Sequence, residues 1–184
     1  MNRRTAFLIG ILFQLLAVFG LFIPYVYLLA NGTTVTLRTV PIDPRSIFRG
    51  DYVVLGYEVG MNVQPEESYG PATVVLEQKG EVFERVAVIT DGSTPVLKPG
   101  QVCLRGQRQW NAIVFPDIAQ YFVEEGLGRQ FEEARNAHRL LVDVAISPSC
   151  RAVIRGIRFG PEVPPEEVPG VFPPPERPIP APVR

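Results

Sequence analysis

Hydrophobic and polar positions divide this chain into three stretches with different periods. From Ala6 to Ala30 the chain is uncharged and apolar, interrupted in polarity only by Gln14. A helix of that run rises ~37 Å at ~1.5 Å per residue, enough to cross a ~30 Å hydrocarbon core with some tilt. Arg3 and Arg4 precede it, which places the N-terminus in the cytoplasm, and Tyr25 and Tyr27 suit the far headgroup layer. A cleaved signal is the competing reading, but Leu28 stands where cleavage after Ala30 needs a small residue. The run is therefore read as a retained single-pass anchor in the cell membrane, with everything after it extracytoplasmic. Pro24 either kinks this helix or marks its approaching end.

From Thr33 onward the period falls to two. Val35, Leu37 and Thr39 alternate with Thr34, Thr36 and Arg38, the pattern of a strand with one buried face. Further strands are predicted over Asp51–Val59, over Ala72–Gln78 and Val82–Thr90 as a hairpin around Lys79-Gly80, and over Val102–Arg108 after a Pro99-Gly100 turn. Trp110–Phe115 is one more candidate. Leu127–Ala137 has the Glu, Arg and Ala spacing of a short helix, and Leu140–Ile146 with Ala152–Phe159 form a closing pair around Ser147-Pro148-Ser149. The fold class is thus mainly β: an antiparallel sheet, sandwich or open barrel with one short helix, preceded by the transmembrane helix. Expected boundaries are 1–32 for the cytoplasmic stub and anchor, 33–160 for the β domain and 161–184 for a tail.

Composition adds little until it is divided the same way. The 18 basic and 19 acidic residues nearly cancel, so there is no electrostatic case for nucleic acid. Of the 19 prolines, many fall in the last stretch, including Pro164-Pro165 and Pro173-Pro174-Pro175. That stretch reads as an extended, disordered spacer, with an aromatic-groove ligand as the alternative.

The most specific local pattern is Gly50-Asp51-Tyr52-Val53-Val54-Leu55-Gly56-Tyr57. Gly50 and Asp51 suit a turn, and alternation puts Val53, Leu55 and Tyr57 on one face with Tyr52, Val54 and Gly56 on the other. The segment resembles the GDYXXLXY domain family at all of its named positions. Tyr121-Phe122-Val123-Glu124-Glu125-Gly126-Leu127-Gly128 is similar to that family's aromatic segment and Glu-Gly turn, with Glu124 where proline is expected. The resemblance spans Thr33–Phe159 and implies an N-terminally anchored domain often found beside polytopic membrane proteins. It implies no particular reaction. Candidate motif or binding residues are Asp43, Arg49, Gly50, Asp51, Tyr52, Leu55, Tyr57, Tyr121, Glu125 and Gly126.

Catalytic arrangements are sparse. An anchor, a serine loop, Gly-Asp and a β domain in that order are similar to signal peptidases, whose serine and lysine would fall on Ile42 and Glu84 here. Neither residue can do that work. Ser46 with Lys79 or Lys98 is the only displaced version, and a turn serine is the simpler reading. His138 is the single histidine, and Cys103 and Cys150 lack zinc spacing, so no metal or cofactor is implied. Outside the cytoplasm those two cysteines are read either as one disulfide or as two buried thiols. Glu132 and Glu133 read as a solvated helix face.

Two functions follow. One is a membrane-anchored binding or assembly module that contacts the bilayer and a polytopic membrane protein, offering Arg49, Asp51, Tyr52 and the Tyr121–Gly128 loop. The other is a divergent hydrolase or peptidase at the membrane surface, using Ser46.

Overall fold

The computed structural model describes residues 2–41, 52–63, 69–124 and 126–161. Asp43, Ser46, Arg49, Gly50, Asp51, Glu125 and the tail beyond Pro161 lie outside the described residues. Helix α1 spans Arg3–Asn31 and continues through Pro24. It is 29 residues long and apolar enough to cross a membrane.

Its junction with the strands is short. The Gly32 amide donates to the Leu28 carbonyl at 2.8 Å, and strand β1, Thr33–Val40, starts at the next residue. A Cβ on Gly32 would stand 2.7 Å from the Leu28 carbonyl oxygen and 2.9 Å from Ala145 Cβ, so only glycine lets the helix end and the sheet approach this closely. No linker separates the helix from the β structure.

The remaining strands follow in chain order: β2 (Tyr52–Val54), β3 (Gly56–Tyr57), β4 (Gly70–Lys79), β5 (Val82–Ile89), β6 (Gln101–Gln109), β7 (Ala112–Val114), β8 (Gln120–Phe122), β9 (Leu140–Ile146) and β10 (Ala152–Phe159). Helix α2, Gly128–Asn136, lies between β8 and β9. Every pairing among them is antiparallel. One curled four-stranded sheet has the order β10-β9-β1-β3, a second has the order β5-β4-β6-β7, and β2 and β8 form a separate ribbon.

The predicted alternation of β1 is seen directly: Val35, Leu37 and Thr39 are fully buried. Thr39 is tolerated there because its hydroxyl donates to the Leu140 carbonyl at 2.8 Å. Val35 and Leu37 share one core with Val142 and Val144 of β9 and with Val74, Leu76 and Leu104 of the second sheet. The Lys79-Gly80 hairpin, the helix and the closing strand pair all form where the sequence places them.

Three expectations need correction. Asp51–Val59 is not one strand: β2 pairs with β8, β3 pairs with β1, and Glu58–Gly60 is a 3-10 turn. The chain changes partner at Leu55 without changing which side chains are buried. Tyr121 and Phe122, read as the start of a loop, belong with Gln120 to strand β8, whose three residues are too few to show a period. Trp110 is in the β6–β7 turn at φ +56° rather than in a strand. Cys103 and Cys150 are bonded to each other, with Cα atoms 4.8 Å apart, which removes the alternative of two thiols.

The disulfide joins β6 to the turn between β9 and β10. That turn is already closed by Ser147, whose amide donates to the Arg151 carbonyl at 2.8 Å. The Arg105 amide then donates to the Cys150 carbonyl at 2.8 Å, so a covalent bond and a hydrogen bond tie the two sheets together at one place.

Candidate functional site

The motif strand is built mostly as a brace. Val53, Leu55 and Tyr57 are buried together, as alternation predicts. The Leu55 amide donates to the Ala119 carbonyl at 2.8 Å, and the Tyr57 hydroxyl donates to the Ile118 carbonyl at 2.7 Å. The Tyr57 ring meets Phe115 edge to face at 6.0 Å. Burial pushes its phenol far above the usual tyrosine range, so it stays a neutral donor. Two motif residues thus hold the 3-10 turn of Pro116–Ile118 and the residue after it against the core.

Arg135 completes the brace from the other side. It is a buried α2 side chain, 3% exposed, and its guanidinium donates to the Val54 carbonyl at 2.9 Å and to Asn136 Oδ1. The sequence gives no local sign of this, because an arginine in a charged nine-residue helix looks like any solvated one. Glu133 does take the expected solvated role, pairing with Arg129 at 2.9 Å.

On the β2–β8 ribbon, neighbouring residues turn to opposite faces. Tyr121 pairs with Val53 and is half-buried against the core, whereas Phe122, the register partner of Tyr52, is 77% exposed. Phe122 was not singled out by sequence reasoning, although its place beside Tyr121 makes it the residue that alternation turns outward once β8 is known. Gly126 takes φ +88° in the turn leading to α2. Leu55 and Tyr57 belong to the core, so their role is to hold the others.

Beyond Tyr57 the chain lines a groove of about 350 Å³ between the 3-10 turn and the β4–β5 hairpin. Gly60 packs so closely on β7 that a Cβ would stand 2.2 Å from the Ile113 carbonyl oxygen. Arg85 crosses the groove wall and donates to the carbonyls of Val59 at 3.0 Å and Met61 at 2.7 Å. Glu58 and Arg38 face each other at 3.8 Å, and Lys79 and Glu84 at 2.9 Å. Desolvation, reinforced by Glu84, raises the Glu58 carboxyl above its usual range against the opposing pull of Arg38. Desolvation and the charge of Arg38 lower the nearby His138 imidazole. Among the described residues, those lining this groove supply ion-pairing groups, Arg38, Glu58, Lys79, Glu84 and Arg85.

These two shifts predict opposite pH effects. Glu58, with a raised folded value, contributes stability that is complete below its unfolded value of about 4.3 and is lost as pH rises through the folded one. His138, with a lowered folded value, contributes stability that is complete above about 6.5 and is lost as pH falls through the folded one. Thermal melts from pH 3.5 to 8 should show Glu58→Gln flattening the first slope and His138→Asn the second. Unchanged slopes in both variants would contradict this electrostatic description.

Both lysines offered as a base for Ser46 lie among the described residues. Lys79 is exposed and engaged by Glu84, and Lys98 is exposed before β6.

An apolar helix long enough to span a bilayer, joined without a linker to a disulfide-tied antiparallel β structure, defines the class: a β domain carried on an N-terminal helix consistent with membrane anchoring. More particularly, the GDYXXLXY protein family matches residues 14–157, and the chain belongs to that family. No curated protein and no solved structure matches it.

Proposed function

We propose that this protein is a membrane-anchored, extracytoplasmic binding or assembly module, and that the Tyr52–Phe122 ribbon is its contact surface for a polytopic membrane protein. The observation that carries the reading is Phe122, a large aromatic side chain left 77% exposed on a ribbon whose other face is locked into the core. Exposed aromatics on rigid supports provide contact area with little loss of conformational freedom. Asp43, Arg49, Gly50, Asp51 and Glu125 are the polar and turn residues that the sequence offers as further candidates for this contact.

The disulfide supports the extracytoplasmic placement more strongly than the flanking charges do. Arg3 and Arg4 precede the helix, but Arg38, Arg45 and Arg49 follow it closely, so a simple count of cations does not orient the chain.

The proposal extends to the kind of partner. β3 pairs with Thr39 and Val40, six to seven residues along β1 from its start at Thr33, or about 20 Å at ~3.3 Å per residue. The motif lies well along the strand from the helix end, which favours a partner that contributes an extramembrane loop or domain.

Photo-crosslinking in intact membranes with a benzophenone side chain at position 122 of the full chain tests this. The expected result is one reproducible protein adduct, unchanged by Ser46→Ala. The absence of any enriched adduct, together with a purified hydrolytic activity lost in Ser46→Ala, would establish the hydrolase reading instead.

A further inference from the structure

Three arginines lie at the end of the β structure nearest the membrane helix. Arg151 ends the disulfide-tied turn, Arg105 is on the strand that turn covers, and Arg155 is on β10. All three are exposed, and none takes part in an ion pair among the described residues. The neighbouring carboxylates Asp143 and Glu81 are both engaged by Arg158, at 3.2 and 2.9 Å.

Their position relative to α1 is fixed by contacts. The β9–β10 register shifts between Ile154 and Gly156, which leaves Arg155 as the extra residue of a bulge. Bulges re-aim side chains. Here the Arg155 guanidinium reaches the carbonyl of Gly32, the residue that caps the membrane helix, at 3.3 Å. Thr33 pairs with Ile146, which also pairs with Ala152, so the turn carrying Arg151 begins level with the first residue of β1. The Arg105 amide is bonded to the same turn.

We propose that Arg105, Arg151 and Arg155 form a lipid-facing surface that binds the phosphate headgroups of anionic phospholipids beside the anchor. Guanidinium groups match phosphate with paired donors, and a cation held near an anionic bilayer gains attraction that decays within a Debye length. The direct junction at Gly32 keeps these side chains near the bilayer, whereas a flexible linker would let them leave it. This inference rests on α1 being a membrane anchor and not on any protein partner.

The test uses the full chain in nanodiscs of equal phosphatidylcholine and phosphatidylglycerol, with retained lipids counted by native mass spectrometry. Incorporation into the discs reads the anchor by itself. Phosphatidylglycerol should be enriched over phosphatidylcholine on the wild-type chain. Arg151→Gln should reduce that enrichment, by up to roughly fivefold from the attraction of one surface cation. The triple variant R105Q/R151Q/R155Q should abolish it, and the triple lysine variant should keep most of it. Equal retention of both lipids by the wild type, or enrichment that survives all three glutamines, would overturn the proposal. If the triple variant fails to fold, Arg151→Gln decides the matter, because that exposed side chain makes no hydrogen bond or ion pair among the described residues and its loss leaves the turn's backbone bonds in place.

Discussion

Replacing Cys103 and Cys150 together by serine should lower the stability of the β structure by about 4 kcal/mol, the loop-closure value for a cross-link of this span. The bond closes a loop with a sequence separation of 47 residues, and the unfolded chain regains that freedom when it is removed. The native state loses a tether as well, because the β9–β10 turn would be held to β6 through little besides the Arg105 amide. Such a change corresponds to a fall in Tm on the order of 12 °C for a domain of this size. Melting the purified chain with and without dithiothreitol checks it: reductant should lower the wild-type Tm to that of the double variant and leave the variant unmoved. Equal melting of all samples would show that the cross-link adds nothing.

The second large effect is expected at Tyr57. Tyr57→Ala removes a ring that is 3% exposed, empties the space beside Phe115 and releases the Ile118 carbonyl, and should cost about 3–5 kcal/mol. Tyr57→Phe keeps the ring and removes only the donor. It should cost about 1–3 kcal/mol, the penalty for leaving a buried carbonyl without its partner. Urea unfolding of both variants separates the ring from the hydroxyl. A phenylalanine variant as stable as wild type would mean that water or a rearranged backbone replaces the bond.

These two sites show different degrees of legibility in the sequence. Burial of Val53, Leu55 and Tyr57 follows from a period of two, because the pleat sends alternate side chains to one face whatever the strand pairs with. The same insensitivity hid the change of partner at Leu55: the alternation runs unbroken from β2 into β3, although the hydrogen-bonded neighbour changes from β8 to β1. β1 and the Lys79-Gly80 hairpin were legible because each is long enough to repeat its pattern. β8 was not, at three residues, and with it went the register that identifies Phe122 as exposed. The pairing of Cys103 with Cys150, the buried Arg135 and the Glu58–Arg38 groove depend on residues far apart in sequence. No local propensity encodes them.

The motif therefore divides its labour between faces. Leu55 and Tyr57 hold the fold, and the ribbon they support is the proposed recognition surface. The most direct measurement places a photo-crosslinker at Gln120, an exposed position on β8, in the wild-type chain and in Phe122→Ala, with Tm recorded for both. The account predicts a specific adduct that is lost in Phe122→Ala while Tm stays within about 2 °C, since a side chain this exposed contributes little to the core. An adduct of undiminished yield in Phe122→Ala, or none in the wild type, would contradict it.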